Sequence, residues 1–383
     1  MKLLAASFLF LPAIMPAAEV AIRTADELRA ALRGAKPGTQ LVLAAGSYTG
    51  GFYAGGLRGE PGKPIVIKAA DPSSPPVFTD AKTGLHLSGP AHVELKHLTF
   101  RGLSDNGLNI DDGGNADQLA QHISLDQLVF EAIGSRGNQD AIKLSGIADF
   151  RVIDCVIKQW GTGGGSGIDM VGCHRGVISG NAFAHNRAPN CTGVQCKGGT
   201  SDITIRQNQF EDAGGRAVNI GGSTGLQFFR PKLKDGEEHA EARNIVVEGN
   251  TFTGSMAAVA FVGVDGAKVQ FNTIKIPERW ALRILQETKN PGFVACRNGE
   301  FTDNLVIFES QKWGEGGVNI GAGTAPETFK FARNWWYCID RPDRSEPKLP
   351  TPEKDGVYGK NPDVAKGKAG AGSFQASRDR ANQ

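Results

Sequence analysis

The chain has 383 residues, 51 of them glycine, with 40% hydrophobic residues, 21% charged residues and a formal net charge of +2. That apolar share excludes bulk disorder, and the lack of a Gly-X-Y period excludes collagen. A charge so near zero makes no broad electrostatic claim on nucleic acid, so no such partner is expected.

In chain order, Lys2, the apolar run Leu3 to Met15 and small residues before Glu19 read as a secretory signal over residues 1–18. Pro12 and Pro16 argue against a buried helix there. A secreted or periplasmic monomer follows as the expectation, and no later stretch approaches the ~20 apolar residues of a membrane span. In such a compartment the six cysteines (Cys155, Cys173, Cys191, Cys196, Cys296, Cys338) have the number for up to three disulfides. No CxxC pair supports structural zinc. Cys155 and Cys196 fall within strand patterns and read as small buried hydrophobes.

Thr24-Ala-Asp-Glu27 is a capping box that opens a short amphipathic helix around Leu28 to Leu32. Leu41 to Leu43 then reads as a strand. A helix at this position can cover the open edge of whatever sheet follows.

Downstream one short pattern recurs: variable residue, Gly or Ala, aliphatic, variable residue, apolar. It starts at Asn106, Asp140, Ser166, Thr192, Arg216, Ala257, Trp280 and Gly316, at intervals of 34, 26, 26, 24, 41, 23 and 36 residues. Between these lie second strand patterns such as Ile123 to Phe130 and Ile203 to Phe210. From the middle of the chain the second pattern ends in Asn-x-apolar, at Asn181, Asn208, Asn250, Asn272, Asn304 and Asn334. A unit this short, without a helix, cannot bury its own apolar side, but coils stacked on one another can. The fold expected is all-β: a single-stranded right-handed parallel β-helix over residues 19–340 with the N-terminal helix as cap. Alternation places Leu108, Ile142, Ile168, Val194 and Val218 in one interior stack. The asparagines suit turn positions that tolerate a left-handed φ, and stacked copies have the groups to bond one another. From 341 to 383 the chain is Pro-, Lys- and Gly-rich, an irregular tail expected to be disordered from 365 onward.

The segment Lys36-Pro-Gly-Thr-Gln-Leu-Val-Leu, then Gly46-Ser-Tyr48, followed by coils with Asn-x-Phe, resembles the pectate-lyase-like β-helices, most specifically polysaccharide lyase family 6, the alginate lyase and chondroitinase B group. The finer likeness is in Val194-Gln-Cys-Lys197-Gly-Gly-Thr-Ser-Asp-Ile-Thr-Ile-Arg206-Gln-Asn208-Gln-Phe210. The resemblance implies that Lys197 is a Brønsted base. It also implies an arginine at the equivalent place one coil later, where this chain has Gly221, with Arg216 nearby. Acidic calcium-binding residues expected before the lysine are replaced by Gln195.

Stacked coils bring residues 24 to 34 apart in sequence to within about 4.8 Å of one another. The fourth repeat position reads Asn109, Lys143, Asp169, Gln195, Asn219, Ala260, Arg283, Asn319. With Lys197, Asp140 and Arg216 it forms a polar patch suited to an acidic, hydroxyl-rich sugar chain. β-Elimination of a uronate needs neutralisation of the carboxylate, a base for the C5 proton and an acid for the leaving oxygen. Lys197 flanked by Lys143 and Arg216 is the candidate base, because neighbouring cations lower a lysine pKa. Asp169 and Asp140 are candidate ligands for Ca²⁺, the one cofactor considered. Lys143, Gln195, Asn219 and Arg283 are candidate substrate contacts. Phe228 and Arg230 join them from an extra loop, Ser223 to Arg243, since long inserts are commonly functional. The expected activity is a secreted lyase on an acidic polysaccharide. The alternatives are a hydrolase or uronate epimerase using Asp140 and Asp169, and a non-catalytic glycan-binding β-helix. The pair Asp111-Asp112 has the composition of an inverting hydrolase's acids but reads better as a turn. His174 and His185 fall near the patch and read as structural.

Overall fold

A computed structural model describes residues 18–134 and 137–362. The signal proposed for 1–18 lies outside them but for its last residue, and the disorder proposed for 365–383 lies wholly outside them.

Among the described residues the chain winds through three parallel sheets of 13, 12 and 10 strands, visited in turn. The first coil runs Gln40–Leu43, Ser47–Thr49 and Phe52–Gly55, one strand per sheet. Each strand then pairs in parallel with its counterpart one coil on, as Ile142 does with Ile168 and Ile168 with Val194. The fold is an all-β parallel β-helix. Leu108, Ile142, Ile168, Val194 and Val218 sit in consecutive register and are fully buried, so the interior stack read from the repeat is present. The second sheet adds a column of rings, Phe78, Phe100 and Phe130, then Phe183, Phe210 and Phe252 after the intervening Ile157. Neighbouring centroids are 4.7–4.9 Å apart, so the rings keep the strand spacing.

The capping box forms: Thr24 accepts from the Glu27 amide while Glu27 accepts from the Thr24 amide, opening the helix Ala25–Gly34. Its Leu28 and Leu32 are buried against the first coil. At the other end, Glu353–Lys354 and Val357–Tyr358 pair with the last strands of two sheets, so the stack continues past residue 340.

The asparagines behave differently from expectation. They are buried, and the residue before each carries the left-handed backbone: Gly180, Gln207, Gly249, Phe271, Asp303 and Arg333. Asparagine is there for its amide. Each Nδ2 from Asn181 to Asn304 donates to the Oδ1 one coil on at 2.9–3.0 Å, and Asn334 ends the run on the Glu353 carboxylate at 2.6 Å. Burying so many amides is tolerable because each is satisfied. The six cysteines are buried free thiols, without disulfides. Burial pushes the Cys155 and Cys173 thiols up to about 12, which keeps them protonated hydrophobes.

Candidate functional site

The column predicted at the fourth repeat position exists on the outer face of the ten-stranded sheet. Asn109, Lys143, Asp169, Gln195, Asn219, Ala260, Arg283 and Asn319 are partners in unbroken register. The column also runs further back, through His86 to Tyr53. The segment Thr83-Gly-Leu-His-Leu87 carries the repeat pattern, and that was the available signal for His86.

Asp169 is the centre of the patch. Its carboxylate is buried beneath Lys143, which donates to Oδ2, and Lys197, whose Nζ stands 3.2 Å from Oδ1. Lys143 also lies 3.4 Å from the buried Asp140, and Lys197 donates to Gln195 Oε1 at 3.3 Å. Burial works to raise the Asp169 pKa, but the Lys197 and Lys143 ammoniums outweigh it and hold the carboxyl below its ordinary value. Asp140 goes the other way: burial and then the Asp169 charge push it up to about 7. Burial opposes the charge of Lys143, yet Asp169 and Asp140 together raise its pKa. The cations are therefore separated by a shared anion. The expectation that Lys143 and Arg216 flank Lys197 directly is corrected, because Arg216 bonds Asn219 Oδ1 at 3.1 Å and pairs with Glu287 at 2.8 Å.

The calcium assignment does not fit these residues. Ca²⁺ takes 6–8 oxygen ligands, whereas Asp140 and Asp169 already have ammonium groups against them. Among the described residues no group of three or more His, Cys, Asp or Glu side chains is placed to hold a metal.

Two cavities meet at Lys197. One, of about 390 Å³, is lined by Gln195, Lys197, Arg216, Asn219, Ser223 and Glu287, together with Asn138, Gly163 and Asn190. The other, of about 290 Å³, is lined by Lys143, Ser145, Lys197, Ser223, Phe228 and Arg230. Together they form a groove along the sheet face with Lys197 at its middle.

The loop Ser223 to Arg243 walls one side. Its Phe228 is half-exposed and lines the cavity. Arg230 also lines it but is not a free cation: it donates from Nε to the buried Asp112 at 2.7 Å and from its backbone to Gly198 O. The loop is strapped back over the turns of earlier coils. Asp112 is thereby used, and Asp111 is held below the ordinary carboxylate range, where bonds from His86 and Ser88 outweigh burial. The root of the loop is held by Glu241, which sequence reading missed because it lies between repeats. This fully buried carboxylate accepts from the Gly198 and Thr224 amides and from the Thr224 and Thr288 hydroxyls. Arg283 lies elsewhere on the column, over the Trp280 ring and bonded to Asn319, and lines neither cavity. His174 bonds Ser201, and His185 stacks on Trp160 with burial lowering its pKa to about 4.

Gly221, where the resemblance would put an arginine, has φ +97°, and a Cβ there would stand 1.8 Å from the Val262 carbonyl oxygen. No side chain fits at this place. Arg216, at the other end of the same strand, is the cation that faces the groove near it.

A family profile described as "Right handed beta helix region" matches residues 83–274, half of the chain. The protein belongs to this right-handed β-helix family. An alginate lyase from Paenibacillus sp. str. FPU-7 is similar at 18% identity with a TM-score of 0.53, covering 79% of this chain and 99% of that one. A mannuronic acid specific polysaccharide family 6 lyase from human gut microbiota matches at 15% identity over 95% of this chain and 94% of that one, with a TM-score of 0.46. The A-module of a mannuronan C-5 epimerase from Azotobacter vinelandii matches at 10% identity over 83% and 86%, with a TM-score of 0.48. The first likeness is one of fold; none of the three carries a reaction to this chain. No curated protein matches the sequence. No helix among the described residues is long and apolar enough to cross a membrane.

Proposed function

We propose that the protein cleaves an acidic, uronate-containing polysaccharide by β-elimination, with Lys197 as the base and Arg216 beside the substrate carboxylate. The observation that carries this reading is the position of Lys197: a half-buried amine at the junction of two cavities, backed by a buried carboxylate. In its neutral amine form Lys197 Nζ takes the C5 proton, and Asp169 stabilises the ammonium that forms. The electron pair released at C5 forms the C4–C5 double bond as the C4–O4 bond breaks, and the leaving oxygen takes up a proton from solvent, to which the Lys197 ammonium returns the one it took. Arg216 and the Gln195 amide line the end of the groove where the uronate carboxylate would lie. Hydrolysis has less support, because both acids it would use, Asp140 and Asp169, lie buried against lysines and not on opposite walls of the groove.

Purified protein incubated with alginate, pectate, glycosaminoglycans and ulvan should release products with ultraviolet absorption from a new double bond. Lys197→Ala should cut that rate by at least ~10²-fold, the low end for loss of a general base. Reducing ends without unsaturation would overturn elimination, and full activity of the variant would remove Lys197 from the role.

A further inference from the structure

The column that carries Lys143 and Asp169 begins at an exposed aromatic residue. Tyr53 is 64% exposed, the most exposed large hydrophobic side chain among the described residues. Single exposed apolar residues are common and need no explanation by themselves. Tyr53 differs in being held in one orientation by a built support. Its ring lies along its own strand over Gly55, where even a Cβ would come within 3.1 Å of the Tyr53 hydroxyl oxygen. The ring meets His86 in a T-shaped contact at 5.1 Å between centroids. His86 is in turn fixed by Asp111 at 2.6 Å, and Asp111 by Ser88 at 2.7 Å and the Gly113 amide at 2.9 Å. Hydrogen bonds across two coils thus serve to hold an aromatic face toward solvent.

Tyr53 shares the face of Lys143, Asp169 and Gln195, through the pairings Tyr53–His86, His86–Asn109, Asn109–Lys143, Lys143–Asp169 and Asp169–Gln195. At about 4.8 Å per coil these pairings separate Tyr53 from the Lys197 strand by roughly 24 Å along the axis. Asn109 and His86 give polar edges between them. The strap of the Arg230 loop reaches back as far as Asp112, which lies in the turn beyond the strand Leu108–Asp111 and off the column. An open aromatic face at the end of a polar track fits the apolar face of a pyranose ring, with the hydroxyls left to the flanking amide and imidazole.

We propose that Tyr53 is a distal stacking platform for a sugar unit of the same polysaccharide chain that occupies the Lys197 groove, so that the protein favours long chains over short ones. This rests on the reading of that face as a polysaccharide groove. The test is binding, measured by affinity electrophoresis in alginate, pectate, hyaluronate and ulvan gels and by titration with size-fractionated oligomers of whichever polymer retards the protein. Wild type, Tyr53→Ala, Tyr53→Phe and Lys197→Ala are compared. The ratio of long-chain to short-chain affinity should fall on the order of tenfold in Tyr53→Ala, the effect of an aromatic contact near 1.4 kcal/mol, and should be kept in Tyr53→Phe. An unchanged ratio in Tyr53→Ala, or a wild type retarded by none of the polymers, overturns the platform. A wild type that binds long chains through Tyr53 yet releases no unsaturated product sinks β-elimination and leaves the platform standing.

Discussion

Replacing Asp169 by asparagine is the most informative perturbation of the patch, because it keeps the shape and removes the charge on which both lysines rest. Losing one partner of a buried ion pair costs about 3–5 kcal/mol. The two ammonium side chains retain 29% and 19% exposure, so water offsets part of the loss and the lower end, about 3 kcal/mol, applies. The cost should depend on pH through Asp140. In the wild type its carboxyl is raised from 3.8 to about 7, so the stability this group contributes is full below about pH 4 and is lost as pH rises through 7. The Asp169 charge is one cause of that rise. In Asp169→Asn it is gone, so the folded pKa of Asp140 falls and its ionisation near neutrality supplies the lysines with a counter-charge. The deficit of the variant should therefore be largest near pH 5 and shrink toward pH 8. Urea unfolding of both proteins at the two pH values measures it, with slopes compared because stacked coils need not unfold in one step. A deficit under about 1 kcal/mol at pH 5, the size of an ordinary substitution, or one that widens with pH, would refute this account.

Asn272→Ala removes the acceptor of the Asn250 amide and the donor to Val247 O, both buried. At about 1–3 kcal/mol per orphaned group it should cost about 3 kcal/mol in urea unfolding, and a loss below about 1 would deny the ladder its role. Gly221→Ala should destabilise by at least about 2 kcal/mol through left-handed strain and overlap with Val262, and a neutral melting temperature would mean that this turn can relax. Asp112→Ala unties Arg230, so trypsin should cut after Lys232 or Lys234 sooner than in the wild type; an unchanged digestion rate would show that the strap is held elsewhere.

The parts of this architecture that were legible in the sequence are those that repeat. Leu108, Ile142 and Ile168 recur at one place in the pattern because the same interior space recurs, and the outward residue beside each is then forced into the column. Partners that reach across loops leave no such trace. Glu287 meets Arg216 across 71 residues and Arg230 meets Asp112 across 118, distances set by the paths of inserts and not by any period. The charge order obeys the same rule. Sequence places Lys143, Asp169 and Lys197 near one another, but only the register and burial give Asp169 to both lysines at once.

The asparagine ladder has a consequence for how such a chain can change. Its successive members are separated by 27, 42, 22, 32 and 30 residues, yet every amide meets the next at 2.9–3.0 Å. The length of a coil is thereby uncoupled from the spacing of the stack. An insertion of any size is expelled sideways into a loop, at an entropic cost that rises only with the logarithm of its length. The scaffold acts as a ruler that ignores what hangs from it. The wall over the groove, built from the longest of those intervals, is the part free to be lengthened, shortened or exchanged while the column of side chains beneath it stays in place.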